Sequence, residues 1–341
     1  MKESIFLFIL LLLINSCSYS ERNSEALEVI KLSDTLNQTS SNSTLKIESK
    51  CIMVDTKQIV SEVKDMVQLN NICYVLDNNK MITCINIKNG NILNQKQQLG
   101  HSRQELIMPI ALATDSSLLY VYDSGANKVV IFDKNMSYIN SKEMPIRFEK
   151  FTKVNGGYLC YSEYRPTIHF ITDGGKLVYS HSMADYVVDM TFKSNIFARD
   201  ESKNVYVKAE FSDTIFQWID GKCIPRFFVD LGKERIPKDI KTTTDIWKKQ
   251  LSFTMDFFVD RNGLFFSYMN GREKKYVRYL SETKDIIKPS IDMAKKVPFM
   301  PQWKAGKDYY AYVSNDILRF IFKEDDIVAD KSAILVYKLL E

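Results

Sequence analysis

Along most of this chain, apolar residues come in short β-branched and aromatic runs cut by turn residues. The clearest case is Leu118–Asp133 (LLYVYDSGANKVVIFD), two such runs around Ser124-Gly125-Ala126-Asn127, which is the pattern of a β-hairpin. The pattern recurs. Strand pairs read out at Ile72–Ile87, Leu118–Asp133, Gly157–Thr172, Asn204–Ile219, Gly263–Leu280 and Asp308–Phe322. The aromatics marking their first strands, Tyr74, Tyr120, Tyr158, Tyr206, Phe265 and Tyr310, are 46, 38, 48, 59 and 45 residues apart.

Most hairpins are followed by a turn and a further strand. The turns are Asn89-Gly90, Lys134-Asn135, Gly174-Gly175 and Asp220-Gly221, residues that tolerate positive φ. An apolar segment precedes each hairpin: Val63–Leu69, Ile107–Thr114, Phe148–Val154, Val187–Thr191, Phe253–Val259 and Val297–Trp303. Four strands at this period predict an all-β fold, a six-bladed β-propeller with four-stranded blades. A β-sandwich is the rival, but sandwiches do not repeat one hairpin at this interval. Leu45–Val54 has no blade of its own, so it is expected to pair with the last strand, Ala333–Leu340, and close the ring with N- and C-terminal strands. The long fourth interval holds an insertion, Asp230–Leu251, with helix formers and a cap expected at Thr244; its bland reading is a solvated surface connection. Tyr120, Val121, Val130 and Phe132 are expected in packing between blades.

The first residues change the picture of location. Ile5–Ile14 (IFLFILLLLI) is too short, at ~15 Å as a helix, to cross a ~30 Å hydrocarbon core. With Lys2 before it and Ile14-Asn15-Ser16-Cys17 after it, residues 1–16 read as a signal peptide whose end looks like the lipobox of bacterial lipoproteins, with Cys17 lipidated; an ordinary signal peptide beside an incidental cysteine is the alternative. Residues 17–44 read as a polar tether, with a helical turn at Ala26–Leu32 and a coil reach on the order of 30 Å. The propeller takes residues 45–341. The expected address is the cell envelope, lipid-anchored, at the outer membrane, with the membrane as one partner. The net charge of +4, from 46 basic and 42 acidic residues, is too balanced to imply nucleic acid.

Three stretches carry a family resemblance: Leu99–Pro109 followed by Leu119–Asp133, then Phe228–Pro237 (FVDLGKERIP), then Leu335–Leu339 (LVYKL). Through them the chain resembles the six-bladed β-propeller lipoproteins of Bacteroidota, distant relatives of NHL-repeat propellers, most of which have no assigned function. That family carries Gly-x-Gly-Pro-Gly-Glu before the second hairpin. Here Gly100 and Glu105 match, while the proline and two glycines are replaced, so the loop must be reshaped.

Two constellations could carry chemistry. His101, Arg103 and Glu105 form a polar cluster on the connection between blades one and two, either a ligand-contacting loop or a structural turn. Asp65, Lys150, Asp189 and Asp256 occupy equivalent places in the innermost strands and would ring the central channel, either as a ligand site or as solvated lining. Crowded carboxylates there make Ca²⁺ in the axial channel the one ion worth testing; no other cofactor is expected. His101, His169 and His181 have no metal-ligand spacing, and no nucleophile, P-loop or dinucleotide motif appears. His169 reads as a packed strand residue, and Cys51, Cys160 and Cys223 as core. Cys73 and Cys84 fall opposite one another if the first hairpin turns at Asn78-Asn79, leaving a disulfide or two buried thiols. The functional expectation is a binding or scaffold module for a glycan, peptide or envelope protein; a lyase or hydrolase using the axial cleft is the alternative.

Overall fold

The computed structural model describes residues 26–32, 45–55, 62–97, 99–183, 194–237, 240, 242–290, 299–314, 318 and 331–340. The signal peptide, Cys17, Asp189 and the expected strand Val187–Thr191 lie outside the described residues. Six antiparallel sheets follow one another, each with its innermost strand first, which is the six-bladed propeller read from the repeat. Blade one comprises Val63–Leu69, Ile72–Asp77, Ile82–Asn86 and Ile92–Lys96; blade two Pro109–Thr114, Leu119–Asp123, Lys128–Phe132 and Tyr138–Glu143. Blade three comprises Lys150–Val154, Gly157–Ser162, Thr167–Thr172 and Leu177–Ser182; blade five Phe253–Asp260, Gly263–Asn270, Glu273–Leu280 and Ile286–Ile287.

Blade four departs from the expectation. Its innermost strand is Phe197–Arg199, paired with Val205–Val207, followed by Thr214–Ile219 and Lys222–Asp230. A fifth strand, Glu28–Lys31, adds in parallel to Lys222–Asp230. The helical turn expected at Ala26–Leu32 is thus a strand. Ile30 alternates inward at 1% exposure while Glu28 binds side chains of blades four and five, so period 2 wins over period 3.6.

Blade six carries the closure. Trp303–Ala305 is innermost and pairs with Asp308–Val313, whose other neighbour is Lys331–Leu340. Lys331–Leu340 in turn pairs with Leu45–Asp55 over ten residue pairs, from Lys46↔Leu340 to Asp55↔Lys331. The expected third strand inside Asp308–Phe322 is therefore corrected: the long apolar-patterned C-terminal strand takes that place, and the N-terminal strand becomes the fourth, with the two-residue strand Pro289–Ser290 added in parallel on its outer edge.

Six apolar clusters fill the six seams between blades, which is why alternate residues on both faces of each strand are apolar. Val121, Val130 and Phe132 pack toward Tyr74 and Leu76 of blade one, whereas Tyr120 packs toward Tyr158 of blade three, as expected of inter-blade residues. Fully burying a side chain such as Phe132 contributes about 1.5–3 kcal/mol. The insertion is more than a solvated connection. Its helix Thr243–Lys248 is capped by Thr242, not Thr244, whose hydroxyl accepts from the Asp245 N–H at 3.1 Å. Ile240, Ile246 and Leu251 pack on Phe211 and Phe253.

The turns expected to take positive φ do so at Gly90, Gly175, Asp220 and Gly221, while in blade two Met136 carries it instead of Lys134 or Asn135. In blade one the register places Tyr74 opposite Cys84 and Cys73 opposite Ile85. Cys73 and Cys84 are therefore not partners, and both are free and buried, as are Cys160 and Cys223. The side chains of Cys73 and Cys84 alternate to opposite faces, Cys73 into the blade six–one seam and Cys84 into the one–two seam.

Candidate functional site

In each blade the innermost strand begins, and the turn between second and third strands lies, on one face of the ring. On that face these segments frame an axial cleft of about 760 Å³, which continues inward into a narrower channel of about 260 Å³. The described residues lining the cleft include six carboxylates, Glu62, Asp65, Glu149, Glu163, Glu210 and Asp256, against three ammonium groups, Lys64, Lys150 and Lys274.

Three of the four predicted ring residues, Asp65, Lys150 and Asp256, line this cleft. Asp65, on the first innermost strand, places Oδ1 3.0 Å from Lys150 Nζ of blade three, while its Oδ2 accepts the Leu112 N–H of blade two at 2.7 Å. One carboxylate thus ties three blades together. Asp256 is 6% exposed on blade five; Lys274 lies 2.6 Å from its Oδ2, and its Oδ1 accepts the Asn195 N–H at 3.2 Å. Asp65 and Asp256 are each already matched by an ammonium group. Among the described residues no group of three or more His, Cys, Asp or Glu is arranged to hold a metal ion.

Pattern reading missed Glu149 and Glu163. They flank the paired start of the first strand and end of the second strand of blade three, and the Glu149 carboxylate accepts the Glu163 N–H at 2.9 Å. Burial, reinforced by the charge of Glu149 and opposed by Lys150, holds the Glu163 carboxyl above its ordinary range. Burial, with Lys150 and Lys80, lowers Lys64. The register Lys150↔Tyr161, which the hairpin pattern alone does not supply, is what brings the pair together.

Behind the cleft wall, between blades four and five, Lys208 is fully buried and donates to the carbonyls of Ala209 and Thr254 at 3.1 and 3.2 Å. Burial draws it down to about 8, against the pull of Glu210, Asp213 and Asp256. Asp213 is pushed up to about 7 by burial, although Arg235 and Lys208 oppose the shift, and its Oδ1 has no hydrogen-bond partner.

The His101–Glu105 loop lies on the cleft face of the ring, outside the cleft lining. Glu105 closes its own loop: its Oε2 accepts the Ser102 N–H at 3.0 Å and packs against Gly100, where a Cβ would come within 2.1 Å. Backbone hydrogen bonds from Ser102 and His101 hold its carboxyl low. Lys128 secures the same loop through the carbonyls of Ser102 and Arg103, and the side chains of His101 and Arg103 stand in solvent. The structure therefore brings Asp65 and Lys150 together, sets Asp256 on another wall of the same cleft, and leaves the loop apart. Near the mouth, Tyr164 is 77% exposed beside Glu163, with Met108 exposed on the same face. His169 sits in its strand with Nδ1 2.8 Å from Ser180 Oγ.

A family model described as 6-bladed beta-propeller, DUF5128, matches residues 18–315. The chain belongs to that family. A solved Bacteroides fragilis NCTC 9343 protein named as an exported protein is similar at TM-score 0.69 and 15% identity, over 93% of this chain and 100% of that one. A DUF4221 member from Bacteroides vulgatus ATCC 8482 is similar at TM-score 0.53 and 10% identity, over 86% and 99%. At these identities the likenesses concern the fold. A search of curated proteins gives no match. No helix among the described residues is long and apolar enough to cross a membrane.

Proposed function

We propose that this DUF5128 propeller is an exported, lipid-anchored binding module of the outer membrane that takes a polar ligand, a glycan or a basic peptide, into its axial cleft. The observation that carries the reading is the cleft itself: about 760 Å³, with six carboxylates to three ammonium groups among its described lining. Carboxylates in a concave site accept hydroxyl and ammonium donors, and the exposed Tyr164 at the mouth offers an apolar face for a sugar ring or side chain. The Cys17 lipobox and the similarity to a Bacteroides protein named as exported support the address and the Bacteroidota lineage.

Glycan-array and cationic-peptide screening of the form starting at Ser18 tests this reading. Binding that weakens at least tenfold in Glu149→Gln/Glu163→Gln supports it; binding untouched by those changes overturns the cleft as the site. One observation favours hydrolysis or elimination instead: burial and the neighbouring Glu149 carboxylate hold the Glu163 carboxyl above its ordinary range, an arrangement that can pair acid with base. Turnover of the captured ligand that disappears in Glu163→Gln while affinity stays would select that alternative.

A further inference from the structure

The direction of the strand Glu28–Lys31 bears on how the molecule stands on a membrane. It runs parallel to the outermost strand of blade four, with Glu28 opposite Phe227 and Lys31 opposite Asp230. Outermost strands end on the face where the cleft opens and begin on the opposite face, here at the Asp220-Gly221 turn. The chain therefore enters Glu28 running from the face away from the cleft toward the cleft face, and near the middle of the blade-four strand Arg226 Nη1 donates to the Ala26 carbonyl at 3.1 Å.

The strand is fastened. Glu28 Oε1 is 2.8 Å from Arg226 Nη2 of blade four, and Oε2 accepts from Tyr279 Oη at 2.8 Å and Lys284 Nζ at 2.9 Å, both of blade five. Ile30 and Leu32 enter the core between those blades. Leu27 and Val29 remain 48% exposed on the outer edge, near exposed Ile224 and Lys222 of the neighbouring strand.

We infer that the anchored protein keeps the blade-four edge carrying Leu27, Val29, Ile224 and Lys222 at the lipid surface, with the face opposite the cleft tilted toward the bilayer and the cleft mouth tilted away from it. The inference rests on the reading of Cys17 as the lipid anchor. From Cys17 to Ala26 is nine residues, at most about 30 Å of extended chain and about 15–18 Å as a coil. A domain of this size has a radius of gyration of about 19 Å, hence a diameter of about 50 Å. That reach is shorter than the ring is wide, so the blade-four edge stays at the lipid surface while the strand is docked.

The test couples Cys17 of the chain starting there to maleimide-lipid vesicles, which fixes the anchor chemically, and places a fluorophore on p-azidophenylalanine at Lys222 or at Tyr164. Headgroup-quencher lipids should quench the Lys222 probe at least three times as strongly as the Tyr164 probe. In Glu28→Ala/Ile30→Pro, which removes the ion pairs and an inward-facing ladder residue and so undocks the strand while leaving the ring-closing strand intact, the ratio should approach one. Equal or reversed quenching in the docked protein, or a ratio unchanged by undocking, overturns the inference. The mass of the protein extracted from its native envelope is the separate arm: an unmodified Cys17 would sink the anchor reading while leaving the vesicle geometry measured.

Discussion

Lys150 Nζ lies 3.0 Å from Asp65 Oδ1, although the two residues belong to blades three and one and blade two stands between them. The second oxygen of Asp65 takes up the intervening blade through the Leu112 N–H. Asp65→Ala should lower the unfolding free energy by about 1–3 kcal/mol, because it strands a donor and an ammonium together. Asp65→Asn/Lys150→Met, which removes the charges but keeps an acceptor, should cost less than Asp65→Ala. Urea titrations of the three proteins check the order.

The Asp213 carboxyl gives stability a pH slope. Its folded value, about 7, lies above the unfolded value near 3.8, so the folded state binds the proton more tightly. Its contribution therefore falls as pH rises through that window. The stability of Asp213→Asn relative to wild type should rise by on the order of 1–2 kcal/mol between pH 4.5 and pH 8. Thermal unfolding at both pH values reads it; parallel curves would refute the account.

Glu28 behaves in the opposite sense. Burial raises its carboxyl, but hydrogen bonds from Lys284 and Tyr279 and the charges of Arg226 and Lys284 outweigh burial and hold it below 4.5. That stabilisation is present above the unfolded value and is lost as pH falls through the folded one. Protection of the Ile30 and Leu32 amides against exchange should fall as pH drops below the ordinary carboxylate range, well before the ring unfolds, and Glu28→Gln should show the low protection already at pH 7.

Gly90 sits at φ +78° in the outer turn of blade one, and a Cβ there would lie 2.0 Å from the Met53 carbonyl of the closing strand. Gly90→Ala combines a left-handed backbone with a backbone clash at the seam, so a loss of about 2 kcal/mol or more is expected. Gly221, with positive φ and open space, is the control: its alanine variant should cost about 1 kcal/mol.

The thiols should separate by burial. Cys73 and Cys160 are held well above their ordinary range by burial, and Cys84 and Cys223 are pushed up to about 12 by the same cause. Native alkylation at pH 8 should spare these four and reach them only in denaturant, with mass spectrometry as the readout. Protection that disappears on reduction alone would instead indicate a disulfide.

The hairpins were legible because period-2 alternation between turn residues is a local signal, and each seam buries both faces of its strands. Blade four's innermost strand was not, since Phe197–Arg199 is three residues long and the apolar Val187–Thr191 competes for the same place. The polar run Asp200–Asn204 just before Val205, where Lys203 takes φ 66° in the turn, was the signal that separates them. Glu28–Lys31 was hidden because four residues alternate too briefly to outweigh their polar surroundings. Of the ring residues, Asp65, Lys150 and Asp256 reach the cleft as the alignment of innermost strands implied. Which charges they meet depends on packing between blades, and Lys274 and the Glu149–Glu163 pair come from neighbouring strands that such an alignment does not compare.

The pairing of Leu45–Asp55 with Lys331–Leu340 joins the strand that precedes blade one to the last strand of the chain, so the order of synthesis opposes the order of assembly. Blades one to five stack through contacts close in sequence, while blade six waits for the C-terminus, a contact of very high sequence separation and a slow step in folding. During that wait Leu45–Asp55 is an unpaired edge. At high concentration the Lys331–Leu340 strand of a second copy competes for it, and the product is a strand-swapped dimer with every native register intact.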